Sequence, residues 1–278
     1  FNMTRRIKIA SIFLFCLCMG LLIVSCGKKE ENKPSVENTN FEFQLNEDKM
    51  SYSVSAKTGV EYTEVVIPST YKNTPVTTIA RNAFADCTNI KSITISDSVT
   101  TIDKYAFSDC RLLSSIIISS SVKNIAYNAF FNCIVLENVF YEGTIKDWCG
   151  IEFENDEANP MYFADRFFLK NDNQQWEEVT CLKIPEGVTE LKRYQFYGFN
   201  HIVSIILPKS LKKMEYNCID SNKNITNVFY EGNINDLYEF IINKEYILNT
   251  DWYIFSEAKP TDTDYSYWHY VDGVATKW

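Results

Sequence analysis

Histidine is almost missing from this sequence of 278 residues. Only His201 and His269 occur, and nine glycines serve the whole chain. Two imidazoles in separate contexts leave little for a histidine-based metal or catalytic site: His201 stands beside Ile202 and His269 in an aromatic tail. So few glycines leave little room for a phosphate-cradling loop. Positive charge is also short, with 27 Lys and Arg against 36 Asp and Glu and a formal net charge of −9. No basic patch stands out, which argues against nucleic-acid binding. No catalytic constellation is visible, so a hydrolase reading has no residues to carry it, and no cofactor or metal is expected. The carboxylate run "ENDEA" (residues 154–158) reads as a solvated loop rather than a calcium loop, which needs oxygens at defined positions.

Long apolar runs are scarce too. The one near the N-terminus, Ile9 to Val24, is shorter than the roughly 20 residues of a spanning helix. It follows Arg5, Arg6 and Lys8 and ends "IVSC", the layout of a secretory signal with Met3 as its expected start. That ending resembles the lipobox of bacterial lipoproteins. The resemblance implies cleavage between Ser25 and Cys26 and lipidation of Cys26, with a plain signal peptide or a signal anchor as alternatives. Residues 1–25 are then the signal peptide. Residues 26–40, "CGKKEENKPSVENTN", are the lipidated cysteine and a flexible polar tether. The membrane would be met only through the lipid.

What the chain has in plenty is repetition. "SITISDSVTTIDKYAFSDCRLLS" (residues 92–114) is followed by "SIIISSSVKNIAYNAFFNCIVLE" (residues 115–137). Phe84, Phe107 and Phe130 keep a 23-residue step, as do Cys87, Cys110 and Cys133, Ile79, Ile102 and Ile125, and Ile90, Leu113 and Leu136. Val76, Val99, Val122 and Ile145 keep it as well. A looser pair of units fills residues 181–226. "NVFYEGTIKDW" returns as "NVFYEGNINDL" 89 residues later, so two related blocks are present.

A period of 20–29 residues signals a solenoid. "SITIS" alternates, which places Ile93 and Ile95 on one strand face. "VTTI" is a second short strand, and "DKYAFSDC" reads as one or two helical turns behind an N-terminal Asp. Each ordered backbone costs roughly 1–2 kcal/mol. With only about eight apolar side chains in 23 residues, a lone coil cannot recover that cost. Stacking lets neighbours bury one another.

These columns resemble the BspA-type leucine-rich-repeat family, whose unit reads approximately L-x-x-I-x-I-P-x-x-V-x-x-I-x-x-x-A-F-x-x-C, over about residues 65–232. "VVIPSTYKNTPVTTIARNAFADC" is a close example with an insertion before Val76. Ser96 and Ser119 replace a frequent proline, and residues 204–226 follow the pattern weakly. The resemblance implies a β-rich solenoid (α+β) of about 23-residue coils in two blocks. It also implies a bacterial cell-envelope protein, surface-exposed or periplasmic, that binds or adheres to proteins such as host matrix or other surface proteins. A scaffold binding surface glycan is the alternative.

The domains follow. Residues 41–64 form a β-hairpin cap, 65–143 the first block, 144–180 a helix and hairpin that interrupt, 181–232 the second block, and 233–278 a helical stretch with an aromatic cap. Asp272-Gly273 marks the closing hairpin. Cys87, Cys110 and Cys133 stack close enough for a disulfide. Small buried side chains are the preferred reading, because stacked coils hold neighbouring vectors parallel. Cys149, Cys181 and Cys218 show no metal-ligand spacing. If Ile93 and Ile95 point inward, the residue between points outward. That column reads Thr94, Ile117, Phe140, then Lys183, Ile206, Phe229, and Ile117, Phe140, Ile206 and Phe229 form the candidate partner-binding strip. The tail "YSYWHY" could stack on sugars or peptides, or serve only as a cap.

Overall fold

A computed structural model describes residues 40–219, 222, 224–233, 235–236, 251–261 and 265–278. All of them lie in one compact unit, Glu37–Trp278. The expected lipidation at Cys26, the cut after Ser25, the tether up to residue 39 and most of the expected helix after Asn233 fall outside the described residues.

The alternating segments form strands, and the repeat sets their register. Glu64–Val66, Ser92–Thr94, Ser115–Ile118 and Asn138–Tyr141 pair in parallel along one side of the stack. The second side is built by Thr74–Ile79, Thr101–Ile102, Asn124–Ile125 and Glu152–Phe153, again parallel. The insertion before Val76 forms its own small hairpin, Thr70–Tyr71 against Thr74–Ile79. Between the two sides sit Phe84, Phe107 and Phe130, fully buried, their rings stacked at 5.6 and 5.5 Å. Column neighbours therefore meet as neighbours in space, which is why the chain repeats its residue types at a fixed step.

The third side differs from the expected helical turns. "DKYAFSDC" and its equivalents run as consecutive tight turns, with positive φ at Asn82, Tyr105 and Asn128 and again at Asp86, Asp109 and Asn132. Helix would spend the backbone N–H groups inside each coil. Here every second one points along the stack instead. The N–H groups of Asn82, Phe84 and Asp86 donate to the carbonyls of Lys104, Ala106 and Ser108 at 3.0, 2.7 and 2.9 Å. Tyr105, Phe107 and Asp109 donate likewise to Tyr127, Ala129 and Phe131. A left-handed backbone costs roughly 1–2 kcal/mol at a residue such as Tyr105, and the coil-to-coil bonds offset it. The run "ENDE" ends this ladder: Glu154 Oε2, Asn155 Oδ1 and the Glu157 carbonyl accept from the N–H groups of Tyr127, Asn128 and Phe130.

Residues 144–180 carry a longer coil. Ile145, in the valine column by count, opens the helix Ile145–Trp148, whose start is closed by a Thr144–Asp147 capping box. The strand Arg166–Lys170 then pairs in parallel with Asn138–Tyr141, 28 residues on rather than 23. Trp176–Glu178 folds back on it as an antiparallel hairpin. The second block stacks Cys181–Lys183, Ser204–Leu207, Asn227–Tyr230 and Asp251–Phe255 in parallel.

One core runs through both blocks. At the junction Trp148 Nε1 donates to the Gln195 carbonyl at 2.7 Å, and Phe167 lies 5.1 Å from Phe199. Gln195 is fully buried: its amide nitrogen donates to the Cys149 and Ile151 carbonyls, and its oxygen accepts from the Lys192 N–H. At the N-terminal end Phe41–Leu45 and Tyr52–Ala56 form a hairpin whose inner strand joins Thr74–Ile79. At the other end Tyr267–Val271 and Val274–Lys277 form a hairpin turning at Asp272 (φ 50°) and Gly273 (φ 80°), the two positive φ values that a type I′ turn needs.

Candidate interaction surface

The outward column is continuous in register. Val66, Thr94, Ile117, Phe140 and Phe168 follow one another across the first sheet. Lys183, Ile206, Phe229 and Tyr253 do the same across the second. Their inward neighbours are sealed: Ile93, Ile116, Val139 and Phe167 have at most 1% of their surface exposed.

The two halves of the expected strip part company here. Ile117 and Phe140 are half-buried and reach the surface, whereas Ile206 and Phe229 are each only 5% exposed. The chain's own C-terminal hairpin covers them. Trp268, fully buried, lies 5.3 Å from Phe229 and donates from Nε1 to the Tyr230 carbonyl at 3.0 Å. Tyr253 lies 5.3 Å from Phe229 on the other flank. Tyr270 reaches across the sheet to its far strand, accepting from Lys183 Nζ at 2.9 Å and donating to Glu231 Oε1 at 2.5 Å. Lys277 sits over the Tyr253 ring at 4.3 Å. Ile206 and Phe229 are therefore corrected from strip to core. Trp268, on which a sugar-stacking role would rest, is buried as well, so the tail acts as a cap.

On the first block the cover is partial. Phe140 stacks on Phe168 at 4.7 Å, and Trp176 meets it edge-on at 5.2 Å. Lys170 pairs with Glu142 at 2.9 Å and lies 5.0 Å over Trp176, and Arg166 pairs with Glu137 at 2.9 Å. Past Phe140 the column opens through Ile117 and Thr94 to Val66, which is 65% exposed. Sequence reasoning missed Val66, Phe168 and Trp176. The alternation in "RFFLK" held the signal for Phe168, but its 28-residue spacing hid the column. A second apolar region, also unforeseen, lies on the turn side of one coil, where Tyr127, Phe131, Ile134 and Val135 are exposed.

The remaining candidates are structural. "YEG" recurs because each tyrosine ring lies over the glycine two residues on; a Cβ on Gly143 would meet the Tyr141 ring at 2.7 Å. Cys110 and Cys133 donate to the Phe84 and Phe107 carbonyls at 3.3 and 3.2 Å. Burial pushes the Cys133 thiol up to about 12, which leaves it inert at neutral pH. His201 is half-buried against Phe199, and His269 stacks on Trp278 at 3.7 Å. Among the described residues no group of three or more potential metal ligands occurs, and no helix is long and apolar enough to cross a membrane.

A family model described as BspA type Leucine rich repeat region matches in six copies, over residues 57–165 and 172–252. Among solved structures, a T. pallidum Leucine Rich Repeat protein is 19% identical, covering 73% of this chain and 89% of its own, with a TM-score of 0.44. A leucine-rich repeat protein from Bacteroides ovatus is 21% identical over 69% of this chain and 54% of its own, TM-score 0.44. One from Bacteroides capillosus is 26% identical over 48% of this chain and 95% of its own, TM-score 0.37. No curated protein matches the sequence.

Proposed function

The chain belongs to the BspA-type leucine-rich-repeat family, and from that premise we propose that it is a bacterial cell-surface recognition protein, anchored by lipid on Cys26, that adheres to a protein ligand through the outward column of its first block. One observation carries the reading. The chain covers Ile206 and Phe229 with its own aromatic side chains on the second block and leaves the column open on the first, from Ile117 to Val66. An apolar strip open to water, rimmed by the Glu142–Lys170 and Glu137–Arg166 pairs, suits a protein partner. A ligand class of host-matrix or other surface proteins fits that chemistry.

The test uses soluble protein beginning at Gly27 against immobilised matrix and surface proteins. Binding should be lost in Ile117→Lys with the melting temperature unchanged. The pair Phe131→Ser and Ile134→Ser serves as the comparison; loss there and not at Ile117 would move the site to the turn side. For the anchor, Cys26→Ser should abolish incorporation of labelled palmitate and release the protein from membranes.

A further inference from the structure

The second block carries its own occupant on the outward column. That occupant is an aromatic hairpin: Trp268 lies on Phe229, and the Tyr270 hydroxyl sits between Glu231 and Lys183, which are themselves 3.7 Å apart. The first block repeats this seat. Ile117, Phe140 and Glu142 stand 89 residues before Ile206, Phe229 and Glu231. Phe168 holds the register position of Tyr253, and Trp176 plays against Phe140 the part that Trp268 plays against Phe229. A carboxylate is paired with a cation at the rim in both blocks, from opposite sides: Lys170, on the following strand, meets Glu142 at 2.9 Å, whereas Lys183, two strands earlier and the counterpart of Thr94, meets Glu231. The difference is reach. The hairpin ending in Trp176–Glu178 covers Phe140 in part, while the C-terminal hairpin crosses the whole face to Lys183.

We propose that a partner protein completes the first block with an extended aromatic segment, laid over Ile117 and Thr94 as the C-terminal hairpin is laid across Ile206 to Lys183. A tyrosine hydroxyl of the partner would meet Glu142, as Tyr270 meets Glu231. This rests on the recognition reading above and names the chemistry of what is recognised.

The probe is a cyclised peptide with the sequence of residues 265–278, titrated calorimetrically into the intact protein. The expected result is one-to-one binding, weakened about tenfold by Ile117→Lys or Thr94→Lys in the protein, and weakened again by Tyr270→Phe in the peptide. Two variants keep the test informative if one of them fails to fold. Absence of binding overturns the proposal, and so does binding indifferent to both variants. Binding that appears only after the protein's own hairpin is deleted also overturns it, since the peptide would then merely replace residues 265–278. Self-association lost on Ile117→Lys would assign the seat to a second copy and overturn the partner. If a surface protein is bound through Ile117 while the peptide is not, the recognition reading stands and this inference alone falls. If nothing depends on Ile117, both fall.

Discussion

The Asn222 side-chain amide donates to the Phe196 carbonyl at 2.7 Å, across 26 residues. Cys110 and Cys133 make the same contact, across the same separation, with Phe84 and Phe107. In these three coils the column places a compact donor against the carbonyl of the preceding coil. Asn222 stands where the 23-residue step would put a cysteine, and it keeps the bond.

Cys133→Ser should therefore retain most of the stability, while Cys133→Val, which is apolar but has no donor, should lose about 0.5–1.5 kcal/mol. Asn222→Ala should lose about 1–3 kcal/mol, because the Phe196 and Ile219 carbonyls both give up a donor. Urea unfolding of the three variants measures the differences; equal loss in Cys133→Ser and Cys133→Val would refute the hydrogen-bond account.

Phe140 and Phe229 occupy equivalent places in sequence and unequal places in space. Phe229→Ser should destabilise by about 3–5 kcal/mol, the cost of emptying a buried aromatic site. Phe140→Ser should cost clearly less, since its ring is only half-buried. Thermal melts of the pair decide it.

Gln195 bridges the blocks with its whole side chain buried. Gln195→Ala strands the Cys149 and Ile151 carbonyls and the Lys192 N–H, at about 1–3 kcal/mol for each group left unpaired. Because stacked coils are stabilised by nearest neighbours, the expected outcome is a two-step urea transition in place of one. Hydrogen exchange should show the second block opening apart from the first.

Burial pushes the His201 imidazole below its ordinary value of 6.5, against the pull of the Val179 backbone and, more weakly, of the Asp165 carboxylate. The unfolded chain then takes up its proton first as pH falls. Stability from this group is complete above about 6.5 and is lost as pH drops below that toward the lowered folded value. His201→Gln should flatten the curve between pH 7 and 5. Unchanged slopes in melts across that range would show that the ring does not titrate this way.

Much of the architecture was legible because periodicity and burial are local matters. Phe84, Phe107 and Phe130 announced the stack, and Asp272-Gly273 announced the closing turn. The tight turns were harder to see: Asn82 and Asn128 hint at left-handed backbone, but Tyr105 in the same column does not. The strip was half legible. Alternation gave the outward positions, whereas the burial of Phe229 depends on where Trp268 lands, 39 residues later, and no local pattern encodes that. Likewise Phe168 joins Phe140 only because a 28-residue coil returns in register around the helix Ile145–Trp148.

The turn-side ladder has a mechanical consequence. With backbone bonds on all three sides of the first block, adjacent coils there cannot slide or twist past one another without rupturing several bonds at once. The first block should behave as a stiff rod about 4.8 Å longer for each added coil. A pull applied at one end of the block would arrive at its other end almost undiminished, and its length could be tuned by whole coils without reshaping the outward column.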